Sequence, residues 1–322
     1  MIKLQIESVW MYMKKYISSI ICLLLIVIVA VKYNSIVTFA TEFFTNKQDL
    51  IILSGNEYTK NNDYLYVQRS KNFTPLSKQD VLNIYYSIIN NHWDTFTFYC
   101  PSEYEDCTSD ITKLSEDTVT LSNINNFVHP YNSFTNIKTS IDSQGEIIVK
   151  VNYLYTKDQI NYINNEVNNI IENNYSNNVD IKENIKKIHD YIINNTSYDI
   201  NYKENKDKFT FTAYGALKEH LATCNGYSDL MAIILNKLGI NNYKIAYNPS
   251  GDTNEDGHVW NAVYINDNWL HLDLTWDDPV GDGQSYLNHK YFLVTTSEMN
   301  EADSGNIQVK EHNYDKYVYQ EF

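Results

Sequence analysis

Apolar side chains recur at Tyr227, Leu230, Met231, Ile234, Leu235 and Leu238, the i, i+3, i+4, i+7 spacing of one buried helical face. Lys237 in the last turn suits the helix dipole, and Gly239 just beyond can take the left-handed conformation that ends a helix. The spacing therefore predicts a helix that opens at Cys224. Farther on, His258–Ile265 and 269–274 are short β-rich runs joined by Asn-Asp-Asn, which reads as a hairpin. Alternation puts His258, Trp260, Ala262 and Tyr264 on one face, and Trp269, His271 and Asp273 on one face of the partner. A three-residue loop would set Asn261 opposite Asp273, on the wrong face from His258. A four-residue loop at 265–268 sets Trp260 opposite Asp273 and makes His258 its diagonal neighbour, so the looser turn or a bulge is expected.

Upstream, a helix is expected from Ser77, with Asp80 three residues on, burying Val81, Ile84, Tyr85, Ile88 and Ile89. A strand Thr95–Tyr99, a polar middle and a strand at 147–155 follow, the last entered through the turn Ser143-Gln144-Gly145. Two helices come next, marked by Ile160, Ile163, Val167, Ile170 and Ile171, and by Ile181, Ile185, Ile188 and Ile192, the second opening on a capping box of Asp180 and Glu183. Residues 194–207 form a polar connection that reads as a surface loop and is long enough to border a groove.

The predicted elements place chemistry at three positions. At a helix N-terminus the unpaired N–H groups and the dipole favour an anion, hence a thiolate at Cys224. A free cysteine is often only a small buried hydrophobe, but Cys224 precedes the buried stripe and has polar neighbours. If the looser turn forms, His258 supplies a general base and Asp273 a carboxylate that fixes the imidazole tautomer. His271 competes with His258 on paper but reads better as a packed strand residue. Trp260 and Trp276 read as walls of the site or as core, and Asp277 and Asp278 before Pro279 as turn formers.

Cys-Asn-Gly-Tyr-Ser at 224–228, His-Val-Trp-Asn at 258–261 and Trp-Leu-His-Leu-Asp-Leu-Thr-Trp-Asp-Asp-Pro at 269–279, with the lead-in Ala-Tyr-Gly-Ala-Leu at 213–217, resemble the transglutaminase-like superfamily, in particular its secreted bacterial members. The resemblance covers about residues 180–300 and keeps the family's motif order. It implies an α+β, papain-like core in which a cysteine-headed helix packs on an antiparallel sheet carrying the histidine and aspartate. It also implies a catalytic triad of Cys224, His258 and Asp273, with no member missing. The implied chemistry is acyl transfer on protein or peptide amides through a Cys224 thioester, with an amine or water as acceptor. For secreted bacterial members, surface proteins or cell-wall peptides are the implied substrates. A cysteine protease or amidase, and a non-catalytic surface binding module that retains the fold, are the competing readings.

The 322 residues are 43% hydrophobic and 14% aromatic, enough for one large or two modest domains. A net charge of −15 argues against a nucleic-acid partner, because phosphate binding needs a basic surface. Lys14 and Lys15 precede an uncharged apolar run at 16–31, so a signal peptide or single-pass anchor is expected in 1–40, with export to the cell surface or beyond. Met13 is a natural start for such a signal, and cleavage after Ala40 is an open alternative to retention. The remaining organisation is a polar stalk at 41–75, a small α/β domain at 76–156 without a chemical motif, and the catalytic domain at 157–322. Cys100 and Cys107 can pair in an oxidising compartment or stay reduced, leaving Cys224 free. Four cysteines with no second close pair do not make a zinc site, and no cofactor is read. Residues 252–257 look like the first half of a calcium loop, but the twelfth position is Val263, so a solvated turn delivering His258 is preferred and a weak calcium site stays open.

Overall fold

In the computed structural model, the described residues are 54–204, 208–248, 257–278, 280–281, 284–285, 287–304 and 309–322. The expected signal or anchor segment and all but Gly257 of the calcium-like stretch lie outside them. Among the described residues no helix is long and apolar enough to cross a membrane.

The first regular element among the described residues is α1 (Lys78–Asn90), where Ser77 caps the helix by accepting from the Asp80 amide. Strand β1 (Thr95–Tyr99), helices α2 (Cys107–Glu116) and α3 (Thr118–Asn126), and the hairpin β2 (Phe134–Ile141) and β3 (Glu146–Tyr153) follow. The three strands form an antiparallel sheet in the order β1-β3-β2. Two helices and strand β2 thus occupy the stretch that read as a polar middle. A disulfide joins Cys100, just past β1, to Cys107 at the head of α2.

Of the stripes expected of them, helix α4 (Lys157–Asn174) buries Ile163, Val167 and Ile170 and helix α5 (Ile181–Asn195) buries Ile185, Ile188 and Ile192, while Ile160, Ile171 and Ile181 are half-buried. Asp180 caps α5 through the Lys182 amide, one residue earlier than a capping box requires. A two-residue parallel bridge pairs β4 (Ser197–Tyr198) with β5 (Leu221–Ala222) around the short helix α6 (Ala213–Lys218). Helix α7 (Cys224–Lys237) begins at Cys224 and ends with Gly239 at a φ of +72°. It packs on an antiparallel sheet of β6 (Asn242–Tyr247), β7 (His258–Ile265) and β8 (Asn268–Leu272), in the order β6-β7-β8. The one-turn helix α8 (Leu274–Asp277), a two-residue antiparallel pair at Val280–Gly281 and Gln284–Ser285, and helix α9 (Thr296–Asp303) follow.

The β7–β8 turn is tighter than expected. Ile265 pairs with Asn268, so the loop is Asn266-Asp267 alone, and both residues have positive φ, 52° and 62°, as a type I′ turn requires. This turn keeps the register of the four-residue alternative, because both pair Tyr264 with Trp269. Right-handed strand twist favours the primed turn, and asparagine and aspartate tolerate its left-handed backbone.

Residues 54–322 fold as one compact unit. The segment read as a stalk feeds Tyr64, Tyr66 and Val67 into the core. The 76–156 segment shares that core with the C-terminal sheet: Phe127 stacks on Tyr243 at 5.0 Å, and Asn126 Nδ2 donates to the Tyr319 hydroxyl at 2.8 Å. A second cluster joins α4, α5 and α7 to the opposite face of the sheet through Ile163, Ile188, Leu230, Val263 and Leu272.

Candidate active site

Three buried ties set the rotation of α7 and thereby aim Cys224. Asp229 takes Lys244 Nζ from β6 at 2.6 Å and the Tyr155 hydroxyl at 2.6 Å, and that hydroxyl accepts from the Ala213 amide at 2.9 Å. Asn261, the last residue of the His-Val-Trp-Asn motif, donates from Nδ2 to the Ser228 carbonyl at 2.9 Å and fixes β7 against the helix. Gly226 accounts for the glycine in the first motif. A Cβ there would stand 2.7 Å from the Thr210 carbonyl oxygen and 2.9 Å from the Ala222 Cβ, so only a bare backbone can approach. Gly226→Ala is expected to destabilise the fold by roughly 1–3 kcal/mol and to displace Cys224, which thermal unfolding and the rate of thiol alkylation both read. An unchanged melting temperature would contradict this packing argument.

Thr223, the N-cap, makes no capping bond with its side chain; its hydroxyl donates to the Thr210 carbonyl instead. The helix start is thus left uncapped on the side of the thiol, where first-turn N–H groups have no intrahelical acceptor. Cys224 is buried, and among the described residues it is the free cysteine. It lies near the His258 imidazole and helps to hold the proton there.

His258 Nε2 meets Asp273 Oδ2 at 2.5 Å, which leaves Nδ1 as the ring nitrogen for the thiol. Asp273 follows β8 and caps α8, accepting on Oδ1 from the Thr275 amide at 2.9 Å and the Trp276 amide at 3.2 Å. On Oδ2 it also meets His312 Nε2 at 3.0 Å, a residue the sequence reading did not single out. His312 Nδ1 stands 3.0 Å from both carboxylate oxygens of Asp303, and Asp303 accepts from the Tyr291 hydroxyl at 2.9 Å. The result is a buried line of groups: Cys224, His258, Asp273, His312, Asp303 and Tyr291. His312 sits in a 3₁₀ turn, Val309–His312, after α9.

Burial opposes a charged His258, but the Asp273 carboxylate outweighs it and the thiol adds to it, so the imidazole holds its proton well above the ordinary histidine range. For Asp273, burial raises the affinity for a proton, and His258 with His312 overturns that and holds the carboxyl below its usual range. His312 is likewise raised, with burial outweighed by Asp273 and Asp303.

The pH dependence of stability follows with a definite sign. The Asp273 contribution is fully present above the ordinary value of 3.8 and is lost as pH falls through its depressed folded value. The His258 and His312 contributions are fully present below 6.5 and are lost as pH rises through their raised folded values. Melting temperature is expected to decline from mildly acidic to alkaline pH, with a shallower decline in a His258→Ala, His312→Ala double variant. Equal slopes in the two proteins would contradict the assignment.

The competing histidine behaves as a strand residue. His271 Nδ1 accepts from Trp260 Nε1 at 3.1 Å, Nε2 pairs with Thr296 Oγ1 at 3.0 Å, and Phe322 stacks on the ring at 3.9 Å. Burial pushes it down to about 3, so it is neutral near pH 7. Trp260 lies nearly parallel to the His258 ring at 5.6 Å and Trp276 meets it edge-on at 6.5 Å; both therefore wall the imidazole. Asp277 and Asp278 are more than turn formers. Both are buried, with Asp277 Oδ2 meeting His189 Nε2 at 3.2 Å and Asp278 Oδ2 accepting from the Tyr227 hydroxyl at 2.5 Å.

A thiol heading a buried helix, an imidazole on it and a carboxylate behind the imidazole make up the constellation of cysteine nucleophile chemistry. Residues 156–274 match the transglutaminase-like superfamily, whose members are usually cysteine-dependent enzymes, and this part of the chain is a transglutaminase-like domain. Human kyphoscoliosis peptidase is 25% identical over 128 residues, covering 35% of this chain and 19% of that protein. The mouse kyphoscoliosis peptidase is 24% identical over the same span and shares. The chain thus spans about a fifth of the length of these curated relatives. Among solved structures, one described as a TGase aligns with a TM-score of 0.33 at 15% identity, covering 49% of this chain and 48% of that one. The periplasmic domain of TgpA from Pseudomonas aeruginosa aligns at 0.29 and 12% identity, covering 43% and 62%.

Proposed function

We propose that this protein carries out cysteine-dependent acyl transfer on protein or peptide amides outside the cytoplasm, with Cys224 as nucleophile, His258 as general base and acid, and Asp273 as the carboxylate that orients His258. The observation that carries the reading is the buried His258 imidazole held by Asp273 Oδ2 at 2.5 Å, with the Cys224 thiol near enough to help hold its proton. With Nε2 held by the carboxylate, Nδ1 takes the thiol proton, and the sulfur attacks the amide carbonyl. The tetrahedral oxyanion forms beside the uncapped start of α7, where backbone N–H groups can receive it. His258 then gives its proton to the departing amine or ammonia, and a thioester on Cys224 remains.

An amine that attacks this thioester gives a transglutaminase product, and water gives hydrolysis. Transfer to water is the second reading, favoured by the peptidase name of the curated relatives. The test uses full-length wild type and Cys224→Ala under reducing conditions, with a glutamine-containing protein, a cell-wall peptide and a labelled primary amine. Mass spectrometry scores amine incorporation, deamidation and cleavage together. Cys224-dependent incorporation supports transfer to amines, and Cys224-dependent cleavage or deamidation alone moves the assignment to a hydrolase. No Cys224-dependent product with any substrate would favour a binding module instead.

A further inference from the structure

Among the described residues, one cluster apart from the thiol centre brings metal-binding atoms together. His189 and Asp190 lie on α5, and His289 lies on the segment between α8 and α9. His189 Nδ1 stands 2.9 Å and His289 Nε2 2.7 Å from the same oxygen, Asp190 Oδ1, and the three ligand atoms all fall within 4.8 Å of one another. We propose that His189, Asp190 and His289 bind one divalent transition-metal ion of the zinc class, with solvent completing the shell.

The strongest support lies behind His189. Its ring is fully buried and its Nε2 meets the buried Asp277 Oδ2 at 3.2 Å, the carboxylate–histidine pairing that orients a metal-binding imidazole. With Nε2–H given to Asp277, Nδ1 points its lone pair at Asp190 Oδ1. Two acceptors then face each other unless a proton or a cation stands between them. A metal ion fills that position and joins both imidazoles to the carboxylate. Tetrahedral zinc with bonds near 2.0–2.1 Å spaces its ligand atoms about 3.3 Å apart, so the 2.9 Å and 2.7 Å separations from Asp190 Oδ1 would each lengthen by roughly half an ångström. Lys186 Nζ pairs with Asp190 Oδ2 at 2.9 Å, which leaves Oδ1 for the ion. Asp190 and His289 are partly exposed, so an ion can enter and water can reach the open position.

The place in the fold gives the ion a bracing role. The segment that carries His289 continues to Tyr291, whose amide donates to Asp277 Oδ1 at 3.0 Å and whose carbonyl accepts from the Asp273 amide at 3.1 Å. A metal at 189, 190 and 289 would therefore tie α5 to the strand end that holds Asp273. The site does not depend on Cys224 chemistry, and the test is arranged to keep the two apart.

The test uses full-length protein, stripped with chelator, in a Cys224→Ser background that removes the thiol as a competing ligand. Zinc chloride is titrated by calorimetry near neutral pH, and thermal melts are recorded with and without zinc. One equivalent is expected to bind and to raise the melting temperature. His289→Ala and, separately, Asp190→Ala are both partly exposed replacements, and each is expected to weaken binding at least tenfold and abolish the zinc-dependent rise in melting temperature. No stoichiometric binding, or binding and stabilisation unchanged in both variants, would overturn the proposal; the latter would point to His258, Asp273 and His312 as the zinc ligands.

Discussion

Asp273→Asn is expected to lower turnover by roughly 10²–10⁴-fold, although the two side chains have the same size. The reason is a saturated carboxylate. Oδ1 takes two backbone amides and Oδ2 takes two imidazole nitrogens, so all four acceptor positions are engaged. An asparagine must turn its NH₂ either toward the two amides, uncapping α8, or toward the two imidazoles, where N–H faces N–H. In the second orientation His258 loses the partner that fixes its tautomer and holds its proton. The substitution also leaves His312 buried with one carboxylate instead of two, and a stability loss of about 3–5 kcal/mol is expected. Steady-state kinetics on the substrate found for wild type, alongside thermal melts, separate the two effects. Turnover within about twofold of wild type would remove Asp273 from the proposed mechanism.

His312→Phe carries the second large effect. His312 stands between two buried carboxylates and donates to both, so its removal leaves Asp303, among the described residues, with the Tyr291 hydroxyl and Asp273 with one imidazole. Breaking one side of a buried charged pair costs about 3–5 kcal/mol. His312 also helps to keep the Asp273 carboxyl depressed, so without it Asp273 takes up its proton at higher pH. The acid limb of the kcat profile is therefore expected to move to higher pH, a shift that a purely structural role would not produce. A variant that melts lower but keeps the wild-type acid limb would make His312 a packing residue only.

The sequence carried the Cys224 helix and the hairpin because both are local patterns. The stripe from Tyr227 to Leu235, the ends at Cys224 and Gly239, and the alternation around His258 and Asp273 lie within one element or two adjacent ones. The register was legible by parity, although the tight I′ turn was not foreseen from Asn266-Asp267. His312 was beyond such reasoning. It lies 39 positions after Asp273 in a short 3₁₀ turn with no periodicity, and only tertiary folding brings it to the carboxylate. His189 and His289 escaped for the same reason, since a search for cysteine pairs does not see two histidines from distant elements. Strand β2 was missed because its register shifts between Phe134 and Asn136 and breaks the alternation, and α2 because it buries only Cys107, Asp110 and Ile111. The packing of Tyr64, Tyr66 and Val67, in the segment read as a stalk or loosely packed lead-in, was not legible because these apolar positions have no period and pack against other segments.

The central claim is that His258, held by Asp273, makes the Cys224 thiol a nucleophile, and iodoacetamide alkylation reads this without a known substrate. Full-length wild type and His258→Ala are alkylated between about pH 5 and 9, and the modified peptide containing Cys224 is quantified by mass spectrometry. Wild type is expected to react readily through mildly acidic pH, and His258→Ala at least tenfold more slowly there, with its rate recovering only in alkali. Equal rates and equal pH dependence in the two proteins would contradict the claim.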